Sequence, residues 1–134
     1  MPAHLTLFRH LPPGIEAELA HRLKAATNAH PPAATITGII DLGGGTALRV
    51  DSPALAAIRD ELAEAFHGLL TPQDMAPWRP QITIQNKVAP REARNLQKQL
   101  RATFEPRVLA IRALASWRYL GGPWQPLKTH PFRR

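Results

Sequence analysis

Three consecutive glycines, Gly43-Gly44-Gly45, separate two apolar stretches rich in strand formers, Thr35 to Leu42 and Thr46 to Val50. So short a connection returns the second strand beside the first, because parallel neighbours need a crossover of about a dozen residues or more. The central unit is therefore an antiparallel hairpin, and the chain around it must add to that hairpin rather than wind through βαβ repeats.

The flanking segments obey the same grammar. His4-Leu5-Thr6-Leu7-Phe8-Arg9 alternates and predicts a strand, closed by Leu11-Pro12-Pro13-Gly14. Ile15 to about Ala26 predicts a helix, with Ile15, Leu19, Leu23 and Ala26 on one face and Glu16 and Glu18 in the favourable first turn. His30-Pro31-Pro32 ends it. Ser52 caps a second helix with Pro53 at its first position, and Leu55, Ile58, Leu62, Phe66 and Leu69 form its apolar stripe. The second half predicts a strand over Arg79 to Gln85, a helix from Pro90 to about Thr103 and a long strand from Val108 to Leu120. A turn at Gly121-Gly122-Pro123 and a last strand around Trp124 to Leu127 follow. The expectation is an α+β fold, a mostly antiparallel sheet with helices packed on it, in one domain spanning all 134 residues.

Composition narrows the chemistry. With no cysteine, disulfides, thiol nucleophiles, Cys-based zinc sites and Fe–S clusters are excluded. No apolar run approaches the ~20 residues of a membrane span, and Met1-Pro2-Ala3-His4 does not open a signal peptide, so no membrane partner is expected and the expected compartment is the cytoplasm. The formal net charge of +7 is lopsided. Residues 1–67 carry five basic and seven acidic side chains, whereas residues 68–134 carry twelve and three. Thirteen of the seventeen cations are arginine, the side chain suited to bidentate phosphate contacts. An anionic partner is one reading, and a base-biased, soluble composition is the other.

Two strands carry the candidate chemistry. His4 and Thr6 share a face of the first predicted strand, while Leu5 and Leu7 point the other way. Gln81 and Thr83 share a face of the strand at Arg79-Pro80-Gln81-Ile82-Thr83-Ile84-Gln85, over Ile82 and Ile84. An imidazole exchanges protons near neutral pH, and a threonine hydroxyl beside it can bond a phosphoryl oxygen. Polar-x-Thr thus occurs twice.

On these residues the sequence resembles the 2H phosphoesterase superfamily, in particular the bacterial 2′-5′ RNA ligase-like proteins. His4-Leu5-Thr6-Leu7 matches the His-x-Thr-hydrophobic signature, and Pro80-Gln81-Ile82-Thr83-Ile84 falls where the second His-x-Thr belongs. Trp78-Arg79-Pro80, Gln85-Asn86-Lys87-Val88 and Tyr119-Leu120-Gly121-Gly122-Pro123-Trp124 agree with the family's flanks. The resemblance implies a bilobal α+β fold with pseudo-twofold symmetry and a site that needs no metal or other cofactor. There, one His of each motif moves a proton and the two Thr hold phosphoryl oxygens. The implied substrates are 2′,3′-cyclic phosphates, 2′-5′ linkages or related esters of a phosphorylated nucleotide or RNA end. His4, Thr6 and Thr83 match the family's site residues, with Arg79, Arg9 and Lys87 as the expected phosphate-binding neighbours.

Gln81 departs from the pattern. A carboxamide hydrogen-bonds but does not titrate, so Gln81 can hold a phosphate oxygen and cannot be a general acid or base. The expected protein binds a phosphate and cleaves it slowly. The alternative is a non-catalytic nucleotide- or RNA-binding module of the same fold. Family members also have a strand and a helix before the first motif, which here begins three residues into the chain. A shortened chain, or a homo-oligomer completing the sheet, is the expectation from that departure, and a chain that only assembles is a third reading.

Other features carry less. His10 reads as a turn residue, His130 has no fixed place after the last strand, and His21, His30 and His67 read as surface positions. Arg91, Arg94, Lys98 and Arg101 form one helical stripe that fits either a solvated face or a nucleic-acid backbone, with Gln97 and Gln99 as surface neighbours. Trp78, Trp117, Tyr119 and Trp124 read as core aromatics or as a stacking platform for a base.

Overall fold

The computed structural model describes residues 3–119, 121–122 and 124–134. A 3-10 turn at Pro13–Ile15 leads into α1 (Glu16–Ala26). The glycine-linked hairpin follows as β1 (Ala34–Asp41) and β2 (Thr46–Asp51), paired antiparallel with Ile39 opposite Leu48. Gly43 takes a left-handed φ of 82°, which glycine adopts without steric penalty. Gly45 is needed for a different reason, since a Cβ there would collide with the Gln85 carbonyl oxygen on the neighbouring strand.

The next helix, α2 (Pro53–Ala65), begins where Ser52 Oγ accepts the Leu55 N–H at 3.2 Å and donates to the Ala33 carbonyl at 2.7 Å. One hydroxyl thereby starts the helix and ties it to the entry of β1. A one-turn helix absent from the sequence expectation, α3 (Pro72–Met75), is capped by Thr71, whose hydroxyl accepts the Asp74 N–H at 3.3 Å. β3 (Gln81–Gln85), α4 (Pro90–Thr103), β4 (Arg107–Leu109), β5 (Ala113–Arg118) and β6 (Gln125–Pro131) complete the order. One sheet has the order β3-β2-β1-β4, and β5 and β6 form a second sheet of two strands. Every strand pairing is antiparallel. The α+β class and antiparallel sheets expected from the sequence are therefore present. Among the described residues, no helix is long and apolar enough to cross a membrane.

Several sequence expectations are corrected. The segment from His4 to Arg9 joins neither sheet. Leu5 and Leu7 nonetheless pack against the core of Leu23, Leu55, Leu62, Phe66, Leu114 and Phe132, so the alternation sorts the side chains without a ladder. The strand expected from Val108 to Leu120 breaks at Ala110–Arg112, because β4 pairs with β1 and β5 with β6. Leu120 and Pro123 of the expected strand and turn lie outside the described residues, as do Met1 and Pro2. Leu69 is 48% exposed because α2 ends before Phe66, placing Leu69 beyond the stripe.

The amphipathic α4 presents Arg91, Arg94, Lys98 and Arg101 to solvent and buries Ala93 and Gln97. Gln97 is thus a core residue rather than a surface one. Its amide nitrogen lies 3.1 Å from Asp41 Oδ1, from the Gly45 carbonyl and from Thr46 Oγ1. Thr46 in turn donates to Gln85 Oε1 at 2.9 Å. This buried polar chain joins α4, the hairpin and β3, the strand that carries the second motif.

Candidate functional site

The first motif is positioned by side chains in place of a neighbouring strand. The Thr6 carbonyl accepts Trp78 Nε1–H at 3.0 Å, and the Leu7 carbonyl accepts Arg59 Nε–H at 2.9 Å. The backbone N–H groups of Arg9 and His10 donate to the Asp74 carboxylate, each at 2.9 Å. Backbone polar groups need partners wherever they lie, and here Trp78, Arg59 and Asp74 supply them.

The second motif sits on β3, at the edge of the four-stranded sheet, with Gln81 opposite Arg49 and Thr83 opposite Ala47. The period-two alternation of the strand turns Gln81 and Thr83 to one side. The two motifs meet there. His4, Thr6, Arg9, Arg79, Gln81 and Thr83 line one open cavity of about 240 Å³, together with Leu7, Arg59 and residues 73–78 except Met75. Lys87 is not among the lining residues. It occupies a left-handed turn with φ 55° after β3.

Neither His10 nor His130 lines this cavity. His130 is buried in β6, and its Nε2 has no hydrogen-bond partner among the described residues. Burial, followed by the nearby cations Lys128 and Lys24, pushes its pKa below the usual imidazole range. The basic stripe of α4 also lies away from the cavity lining. Among the described residues, no group of three or more His, Asp and Glu side chains is gathered as a metal-ligand set would be.

The cavity wall is cationic. Arg9, Arg59 and Arg79 line it against the single carboxylate of Asp74, counted among the described residues. Burial lowers the pKa of Arg59, and Asp74 and Asp60 partly offset that effect. A guanidinium nevertheless stays charged in a protein. Its Cζ lies over the Phe8 ring, 4.5 Å from the centroid, and over the Trp78 ring, at 5.5 Å.

Sequence reasoning missed Arg59 and Asp74, and both left a signal. Arg59 falls four residues after Leu55 and three before Leu62, on the apolar face of α2, where a cation is out of place. Asp74 stands in Thr71-Pro72-Gln73-Asp74, a helix start of the Thr-x-x-acid kind.

A family model of the 2′-5′ RNA ligase superfamily matches residues 1–123. No curated protein matches the chain.

Proposed function

The chain belongs to the 2′-5′ RNA ligase superfamily, the 2H phosphoesterases, and on that premise we propose that its cavity takes the phosphate of a nucleotide or RNA end and cleaves it slowly. The observation that carries this reading is the meeting of His4 and Thr6 with Gln81 and Thr83 around one cavity, although the motifs lie far apart in the chain and only the second is in a sheet. Thr6 and Thr83 donate hydroxyl hydrogen bonds to the non-bridging phosphoryl oxygens. The Gln81 amide donates a third, and Arg9 and Arg79 offset the phosphate charge. A cavity below the ~300 Å³ of ordinary ligand pockets suits a phosphorylated terminus better than a length of strand.

Cleavage of a 2′,3′-cyclic phosphate needs a proton taken from the attacking water and a proton given to the departing ribose oxygen. His4 performs one of these transfers and Gln81 performs neither, which leaves the other to solvent. No step requires a metal ion. The same deficiency favours a second reading, a nucleotide- or RNA-binding module that does not turn over its ligand. Hydrolysis and binding of the four 2′,3′-cyclic nucleotides, measured in the presence of a chelator for wild type, His4→Ala and Thr83→Val, separate the two. Slow turnover lost in His4→Ala supports the enzyme, and binding weakened by Thr83→Val without turnover supports the module. Neither binding nor turnover by the folded wild type removes both.

A further inference from the structure

Arg59 is a buried charge that forms no ion pair among the described residues. It is 7% exposed, and the ion pairs among the described residues are Arg22–Glu18 and Arg118–Glu16. Asp74 is the nearest candidate, but its carboxylate oxygens receive the N–H groups of Arg9 and His10, and it offers Arg59 its backbone carbonyl, at 2.8 Å. Asp74 and Asp60 act on this guanidinium without forming an ion pair, and its direct hydrogen bonds go to two backbone carbonyls, so its charge is incompletely matched. Its hydrogen bonds use Nε and Nη2. Nη1 makes none among the described residues, yet it is not one of the sealed atoms lacking a partner, and the residue lines the cavity. Two hydrogen bonds and the Phe8 and Trp78 rings hold the guanidinium, so its open edge is pre-organised.

We propose that Arg59 is a ligand-binding residue whose Nη1 edge takes a phosphate oxyanion in the cavity, so that the ligand supplies the direct ion pair the fold leaves out. The proposal deepens the phosphate-binding reading above and rests on it for the role of the cavity. It adds a coupling, because the same guanidinium holds the Leu7 carbonyl. Anion binding at Arg59 therefore tightens the segment that carries His4 and Thr6.

Titration with inorganic phosphate by calorimetry tests this on wild type, Arg59→Met, Arg59→Lys and Thr83→Val. Arg59→Met keeps the length of the side chain and removes the charge, and its Kd is expected to rise about tenfold or more. Arg59→Lys keeps the charge without the fork and loses less. A folded Arg59→Met that binds phosphate as wild type does overturns the proposal. If Thr83→Val weakens binding at the same time, the motif reading survives alone, and the reverse pattern leaves Arg59 standing without the motif. A wild type that binds no phosphate removes both. Should Arg59→Met not fold, the arginine side-chain NMR signals of wild type decide, assigned with Arg59→Lys. A shift of the Arg59 signal as phosphate saturates supports the proposal, and binding that leaves it unmoved overturns it.

Discussion

The Asp74 carboxylate grips the backbone N–H of Arg9 with both oxygens, at 2.9 and 3.2 Å, across 65 residues of chain. It also takes the His10 N–H, so one buried side chain anchors the end of the first motif that no strand supports.

Asp74→Ala is therefore expected to lower stability by about 1–3 kcal/mol, the cost of leaving partly buried donors unmatched. The effect should also be local. Hydrogen exchange at the Arg9 and His10 amides should quicken more than exchange in β1 and β2, and a uniform change across the molecule would contradict the anchoring role.

The anchor also marks how far the sequence could be read. The hairpin, α1, α2 and α4 were legible because each depends on short-range signals: the glycine run, Ser52 before Pro53, and apolar spacing at three and four residues. The first motif was legible as side-chain alternation but not as backbone pairing. Its carbonyl and N–H partners are Arg59, Trp78 and Asp74, more than fifty residues away, and no local pattern encodes them. That His4 and Thr6 share a side, as do Gln81 and Thr83, was legible from side-chain alternation, whereas the meeting of the two pairs around one cavity was expected only from the family resemblance. That Lys87 stands outside the cavity lining, in a left-handed conformation, had no signal in the sequence.

Gln97 gives a second prediction. Its amide lies against the Gly45 carbonyl and Thr46 Oγ1 inside the molecule, and against Asp41 Oδ1 at its edge. Gln97→Leu should cost about 1–3 kcal/mol in urea denaturation, because the acceptors remain buried without their donor. The Asp41 carboxyl is held below the usual carboxylate range by the Gly43 N–H first and the Gln97 amide second. In Gln97→Leu its pKa, followed by NMR, should move up towards that range while the Gly43 contribution remains.

A third prediction concerns acid. The folded state depresses the His130 pKa below its unfolded value near 6.5, so below that pH the unfolded chain binds a proton that the folded chain resists. Stability supported by neutral His130 is therefore complete above about pH 6.5 and falls as the pH drops through it, with a slope of at most ~1.4 kcal/mol per pH unit for one group. Replacing His130 with Leu should flatten this limb of the stability-against-pH curve. An unchanged slope would assign the limb to other groups.

The most direct measurement of the central claim is metal-free hydrolysis of 2′,3′-cyclic nucleotides by Gln81→His. The cavity is proposed to be a complete phosphate site lacking one of two proton-transfer groups, so restoring an imidazole should raise the rate by ~10²–10⁴-fold over wild type. Adding His4→Ala to that variant should abolish the gain. A folded Gln81→His protein that binds the nucleotide and hydrolyses it no faster than wild type would contradict the account.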